Sequence, residues 1–314
     1  MTTTIRTLES PPSVLAGYAK AFGSVVPLAS VLPLPLPGGG GELPDLELRV
    51  PALTTDLDHL SAYAQVCGFT LRDTLPITYL NVRAFPIHIA LMTDGAFPFG
   101  PVGLVHLTNA ITQVRPVDVR EELALRVWVT GLDPHPKGRT LTLHTEASAG
   151  DEVVWTARST MLRRGKGTGE PAEPTAVPDV PAAATWKIPG DTGRRYAAVS
   201  GDRNPIHLYG LTAKPFGFPR AIAHGLWTKA HALAAIEGQL PDAFTVDVAF
   251  RKPLLLPATA TFGSVTDAGT GVVDFAVRDR KTGSAHLVGS VVPAGKAAAT
   301  ARRRKTTEKT GAPS

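Results

Sequence analysis

The sequence predicts an α+β fold in two similar halves, each an antiparallel sheet wrapped around one helix. Three observations carry this. One helical stretch near residue 230 is followed by four stretches of alternating hydrophobicity, the first half of the chain holds four more, and short segments of the halves echo each other.

In the second half, Thr192 to Val199 reads as a short helix with Asp191 or Thr192 at its N-cap and Gly201 as its break. Ile222, Leu226, Trp227, Leu233 and Ile236 fall near helical spacing and predict a longer, mostly buried helix ended by Gly238 and Pro241. Phe244, Val246, Val248 and Phe250 then alternate with Thr245, Asp247, Ala249 and Arg251, as in a half-buried strand. Similar strands are expected at 258–265, 272–279 and 284–292, with Gly269, Gly271 and Gly283 in the turns. The first half repeats the pattern near 104–115, 122–130, 139–147 and 152–162. Tyr63-Ala64-Gln65-Val66-Cys67-Gly68 is echoed by Tyr196-Ala197-Ala198-Val199-Ser200-Gly201, and Val114-Arg115-Pro116 by Arg251-Lys252-Pro253, at separations of 133 and 137 residues. Such near-constancy suggests a duplicated unit with a small change of length.

Composition narrows the class. A chain of 314 residues, 43% hydrophobic and 19% charged, can bury a sizeable core without disulfides or metals and is not a disordered chain. Thirty glycines and 28 prolines predict long connectors, here Pro33 to Pro44 and Arg163 to Ala184. The second divides the chain into halves of similar length. Gly38 to Gly41 reads as a turn and not a phosphate cradle, because Glu42, Leu43 and Pro44 follow it instead of a helix start. Cys67 is the single cysteine, which excludes an internal disulfide and Cys-based metal clusters and suggests the cytoplasm. The start of the chain lacks the order of a signal peptide, and Pro27, Pro33, Pro35 and Pro37 interrupt the uncharged run from Ala21 to Gly41, so the run reads as an extended connector and no membrane span is expected. The formal charge of +5 equals that of the tail beyond residue 295, where six Lys and Arg oppose Glu308. The body is therefore neutral overall, and a nucleic-acid partner is not expected.

The chemistry concentrates in Ser200-Gly201-Asp202-Arg203-Asn204-Pro205-Ile206-His207, with Gly225 eighteen residues beyond the histidine. Proline at 205 keeps Asn204 out of helical geometry, so Asp202 and His207 are expected on a turning loop where their side chains converge. A carboxylate beside an imidazole can hold one water and move protons to and from it. Gly225 is expected at a helix opening, whose free N–H groups favour an oxygen that becomes negative. Asn204 orients this loop or a substrate amide. Arg251 and Lys252, at a strand end, are candidates to meet phosphates of a substrate carrier. His88 and His106 read as core or edge histidines. His224 and His231 resemble a metal pair without a third ligand, so no metal and no cofactor are assigned.

The run from Tyr196 to His207 resembles the signature of the MaoC-like (R)-specific enoyl-CoA hydratases, or hydratase 2: an aromatic residue, a small residue, then Gly-Asp-x-Asn-Pro-hydrophobic-His. Ala221-Ile222-Ala223-His224-Gly225 looks like that family's helix opening. The resemblance covers roughly residues 190–260. It implies a hotdog fold, here a double hotdog that is pseudo-dimeric within one chain: residues 1–162 a degenerate N-terminal hotdog with a Pro-rich leader, 163–185 a linker, 186–295 the catalytic hotdog and 296–314 a disordered basic tail. It also implies reversible hydration of trans-2-enoyl thioesters to (R)-3-hydroxyacyl thioesters in fatty-acid or polyketide-type metabolism, with Asp202, His207 and Gly225 catalytic. The substrate would be an acyl-CoA or acyl-ACP thioester, and the chain a monomeric pseudo-dimer or a homodimer. Phe69 stands where the first half would need Asp202, so that half is expected to close the sheet and line the acyl tunnel. Alternatives are a hotdog acyl-thioesterase and a non-catalytic acyl-thioester-binding subunit.

The tail has no apolar pattern to pack. Deleting residues 296–314 is expected to leave the melting temperature and turnover unchanged; a large loss of activity, or nucleic-acid binding that disappears with the tail, would contradict the reading.

Overall fold

Each alternating stretch is a strand with one side against helices; the other faces solvent except where Val180 covers Ala249, Ala276 and Val288. The structure, a computed structural model, describes residues 3–23, 41–101, 103–170 and 176–295. The glycines before Gly41, Pro171, Pro174 and the basic tail lie outside the described residues. In chain order the elements are β1 (Thr4–Thr7), α1 (Val14–Gly23), β2 (Leu46–Leu53), α2 (Leu57–Cys67), α3 (Tyr79–Met92), β3 (Leu104–Gln113), β4 (Leu123–His135), β5 (Gly138–Ala149) and β6 (Glu152–Arg164). Then come β7 (Ala184–Ile188), α4 (Thr192–Ser200), α5 (Pro205–Leu208), α6 (Gly210–Ala213), α7 (Gly225–Ala235), β8 (Phe244–Phe250), β9 (Ala258–Thr266), β10 (Val273–Asp279) and β11 (Ala285–Pro293).

The sheet reads β1-β2-β4-β5-β6-β3-β8-β11-β10-β9-β7. On either side of the β3–β8 pair the order is the same when read outward, the third strand of one half facing its counterpart in the other. The two expected sheets are thus joined edge to edge into one of 11 strands among the described residues. The seam is antiparallel from Thr108↔Ala249 to Gln113↔Phe244, and its Ile111↔Val246 pair is fully buried. α3 packs on β2, β4 and β5, and α7 on β10 and β11. Ile87 and Leu91 of α3 and Ala230 and Leu233 of α7 have no exposed surface. Burying a Leu or Ile side chain of this kind stabilises by about 1.5–3 kcal/mol.

The echoed segments are α2 and α4. Both end on a left-handed glycine, Gly68 and Gly201, and the two tyrosines at their centres are buried with ring centroids 6.4 Å apart. The repeat seen in sequence is therefore a contact across the pseudo-twofold.

Two expectations change. The long helix starts at Gly225, as expected of that glycine, but Ile222, counted in its periodicity, lies outside it, because residues 221–223 run extended beside 254–256: the Ala223 N–H donates to Leu254 O and the Leu256 N–H to Ala221 O. Residues 21–23, read as part of an extended run, close a helix that begins at Val14.

A half-sheet without its partner exposes the β8 edge and an apolar face. Residues 166–295 expressed alone are expected to be insoluble or to self-associate; a soluble, monomeric, active fragment in size-exclusion chromatography would contradict this.

Candidate active site

Asp202 follows the α4 cap, and α5 brings His207 back to it. Pro205 opens α5 with no N–H to satisfy, and Asn204 caps it, its Oδ1 accepting from the Ile206 N–H at 3.4 Å. The expected loop therefore holds Asp202 and Asn204, while His207 lies in a one-turn helix. Asn204 also donates its backbone N–H to Asp202 Oδ1 at 3.1 Å, so its structural part is to lock this turn.

His207 donates from Nδ1 to the Ile222 carbonyl at 2.8 Å. A carbonyl only accepts, so Nδ1 carries the hydrogen and Nε2 keeps its lone pair. His224 stacks on His207 with ring centroids 3.7 Å apart and donates from Nε2 to the Asp202 carbonyl at 3.0 Å. That nitrogen is also 3.7 Å from Asp202 Oδ2, and Nδ1 of His224 is buried without a partner. From the other side Tyr18, on α1, donates its hydroxyl to Asp202 Oδ1 at 2.7 Å. α1 is fitted tightly: Gly17 lies against Ile89 where a Cβ would come within 2.3 Å of its side chain, and Val14 packs on Gly201.

Burial works against ionisation of Asp202, yet His224, His207, the Tyr18 hydroxyl and the Asn204 N–H together hold its pKa below the usual carboxylate value. Burial and the Asp202 charge push the Tyr18 phenol upward, so it stays protonated and donates. Burial lowers His207 against the opposing pull of Asp202 and the Ile222 carbonyl, and takes His224 down to about 3. At neutral pH the arrangement is one carboxylate facing two neutral imidazoles.

Gly225 is the first residue of α7, and its neighbours leave no room for a side chain: a Cβ there would lie 2.8 Å from the Phe250 ring. The first N–H groups of the helix have no intrahelical acceptor and carry its positive dipole end. Asp202, Asn204, His207, His224 and Gly225 line one cavity of about 920 Å³. Arg251 and Lys252 lie on its rim, as do Lys137, Arg139, Arg163, Arg164 and Lys166 of the first half, and Asp202 is the one carboxylate among the described lining residues. Asp202, His207 and His224 also place three potential ligand atoms within 4.8 Å of one another.

Tyr18 and the role of His224 are not among the site residues to which the sequence points. Tyr18 carries no local signal, being 184 residues from its partner. His224 could have been found from its place beside Gly225. Its supposed metal partner, His231, instead bonds the Cys67 carbonyl and stacks on Trp227.

The profile of the MaoC like domain matches residues 172–279. The 3-hydroxyacyl-thioester dehydratase X of Mycobacterium tuberculosis is 40% identical over 262 residues, 82% of this chain and 93% of that protein. The peroxisomal enoyl-CoA hydratase 2 of Arabidopsis thaliana is 27% identical over 181 residues, 49% of this chain and 59% of that protein. The solved structure of HtdX from Mycobacterium tuberculosis superposes with a TM-score of 0.70 at 38% identity, over 79% of this chain and 99% of its own.

His224 and His106 have pKa values near 3 and His88 near 4, below the unfolded value of about 6.5, so the unfolded chain binds more protons in this window. Stability is expected to be level above pH 7 and to fall as the pH drops from about 6.5 toward 4, by up to about 1.4 kcal/mol per unit for each histidine. Urea midpoints measured across this range check it; a midpoint that rises toward acid would contradict it.

Proposed function

The chain belongs to the MaoC-like family, and on that premise we propose that it catalyses the reversible addition of water to trans-2-enoyl thioesters, giving (R)-3-hydroxyacyl thioesters. The observation that carries this is the pairing of an ionised Asp202 with a His207 whose Nε2 is unprotonated, beside the N-terminus of α7.

A water held by this pair gives up a proton to it and bonds through oxygen to C3. The π electrons of the C2–C3 bond shift toward C1 and place negative charge on the thioester oxygen, which the Gly225 N–H stabilises. The pair then returns the proton to C2, so water adds across the bond with no net proton consumed. Tyr18 and Asn204 are positioning residues that fix the carboxylate and keep it ionised. Residues 186–295 are the catalytic half; α3, β3, β5 and β6 of the first half build the opposite wall of the cavity. Intact Asp202 and His207 count against a non-catalytic subunit.

The basic rim fits a thioester carrier that brings phosphates, coenzyme A or the phosphopantetheine arm of an acyl carrier protein. No described helix is long and apolar enough to cross a membrane. With its one cysteine buried and free, the chain suits the cytoplasm, and its paired halves suit a pseudo-dimeric monomer.

Asp202→Asn and His207→Ala are each expected to lower hydration of an enoyl-CoA by at least about a hundredfold with the melting curve unchanged, and Tyr18→Phe by about tenfold, the weight of a hydrogen bond to a charged group. Because His207 acts as a base only when neutral, the acid limb of kcat/KM should lie below pH 6.5. Near-normal turnover in either of the first two variants would overturn the assignment.

A further inference from the structure

The cavity wall contributed by the first half sets a few polar side chains among apolar ones, where a plain acyl chain calls for hydrocarbon alone. Along α3, Asn81, Phe85, His88 and Met92 follow at spacings of four, three and four, so one helical face lines the cavity. His106 of β3 and Ser159 of β6 line it as well. Asn81 Nδ2 and His106 Nε2 are buried without a hydrogen-bond partner, and the Asn81 residue as a whole is only 4% exposed. Buried polar atoms are nearly always paired, so two unpaired ones in one wall call for a group that enters the cavity and meets them.

The donor set defines that group. Burial and the nearby Lys229 bring His106 down to about 3, and burial brings His88 to about 4, so both rings are neutral. With the ring neutral, Nε2 of His106 donates or accepts according to its tautomer. Asn81 Nδ2 is a donor. Lys229 is fully buried and turned away, its Nζ bonded to Asn109 Oδ1 at 2.6 Å and Asn109 O at 3.1 Å. Neither atom carries charge to hold an anion, and a hydroxyl group, at once donor and acceptor, can bond either one. The place is close to the chemistry: His106 feels the Asp202 charge, and its ring centroid is 4.7 Å from that of Phe250, the ring that faces Gly225.

We propose that this wall is a hydroxyl-recognition subsite, through which the enzyme favours 2-enoyl thioesters whose acyl chain bears a hydroxyl group a few carbons beyond C3. The inference rests on the hydration reading above and names the substrate class within it.

The test compares trans-2-octenoyl-CoA with its analogues hydroxylated at the fifth, sixth or seventh carbon, using the full chain and reading kcat/KM. At least one hydroxylated substrate is expected to be favoured by about tenfold or more, since a site built to bond a hydroxyl discriminates against a chain without one. Asn81→Leu and His106→Phe should each bring that ratio close to one, chiefly through a higher KM for the hydroxylated chain. Hydration of plain octenoyl-CoA with no preference at any position overturns the subsite while leaving the hydration reading intact, and needs no variant. A preference that survives unchanged in both variants, with melting curves showing them folded, also overturns it. Failure to hydrate any of the four overturns the hydration reading and the subsite together.

Discussion

The whole site depends on keeping one carboxylate ionised inside a largely enclosed cavity. A lone buried carboxylate would take up a proton, and a protonated Asp202 could neither hold nor deprotonate water. The chain prevents this with hydrogen bonds to the carboxylate from Tyr18 of α1 and from the Asn204 N–H of its own turn, while His224, bonded to the Asp202 backbone carbonyl, holds its ring 3.7 Å from Oδ2. Burial lowers the pKa of both imidazoles, which leaves them neutral at working pH. His207 then stays free to act as a base.

That requirement explains the architecture around it. The β3–β8 seam fixes the halves against each other, so that α3 on one side and α5 and α7 on the other enclose a single cavity. Phe250, at the end of β8, packs where only a glycine can begin α7, which ties the helix opening to the sheet. The first half, with Phe69 at the place of Asp202, still shapes the cavity and sets its own polar groups, Asn81, His88 and His106, in the wall.

Much of this is legible in the sequence where the signals are local. Strands at 244–250 and 123–135 alternate because one face is buried; Gly201 and Gly68 mark real helix ends; and the run from Gly201 to His207 holds its chemistry within seven residues. Gly225 marks the start of α7 in both sequence and structure, whereas Ile222 fits the helical spacing without belonging to it, because it is apolar in either conformation and only pairing with 254–256 decides. Tyr18 was invisible because contacts between segments far apart in sequence leave no periodic trace. His88 and His106 were read as ordinary core residues, since a sequence pattern cannot separate a side chain that faces a core from one that faces a cavity.

The docking of α1 has a consequence for how such a chain can be recombined. Its tyrosine precedes every strand of the first half except β1, yet its hydroxyl ends on the carboxylate of the second. A graft that moved the second half alone onto another first half would transfer Asp202, His207 and Gly225 and leave their phenol behind. Inheritance of this site is therefore not modular: the first helix and the second half are coupled through one proton, and the halves must be exchanged together or re-fitted at Gly17 and Ile89.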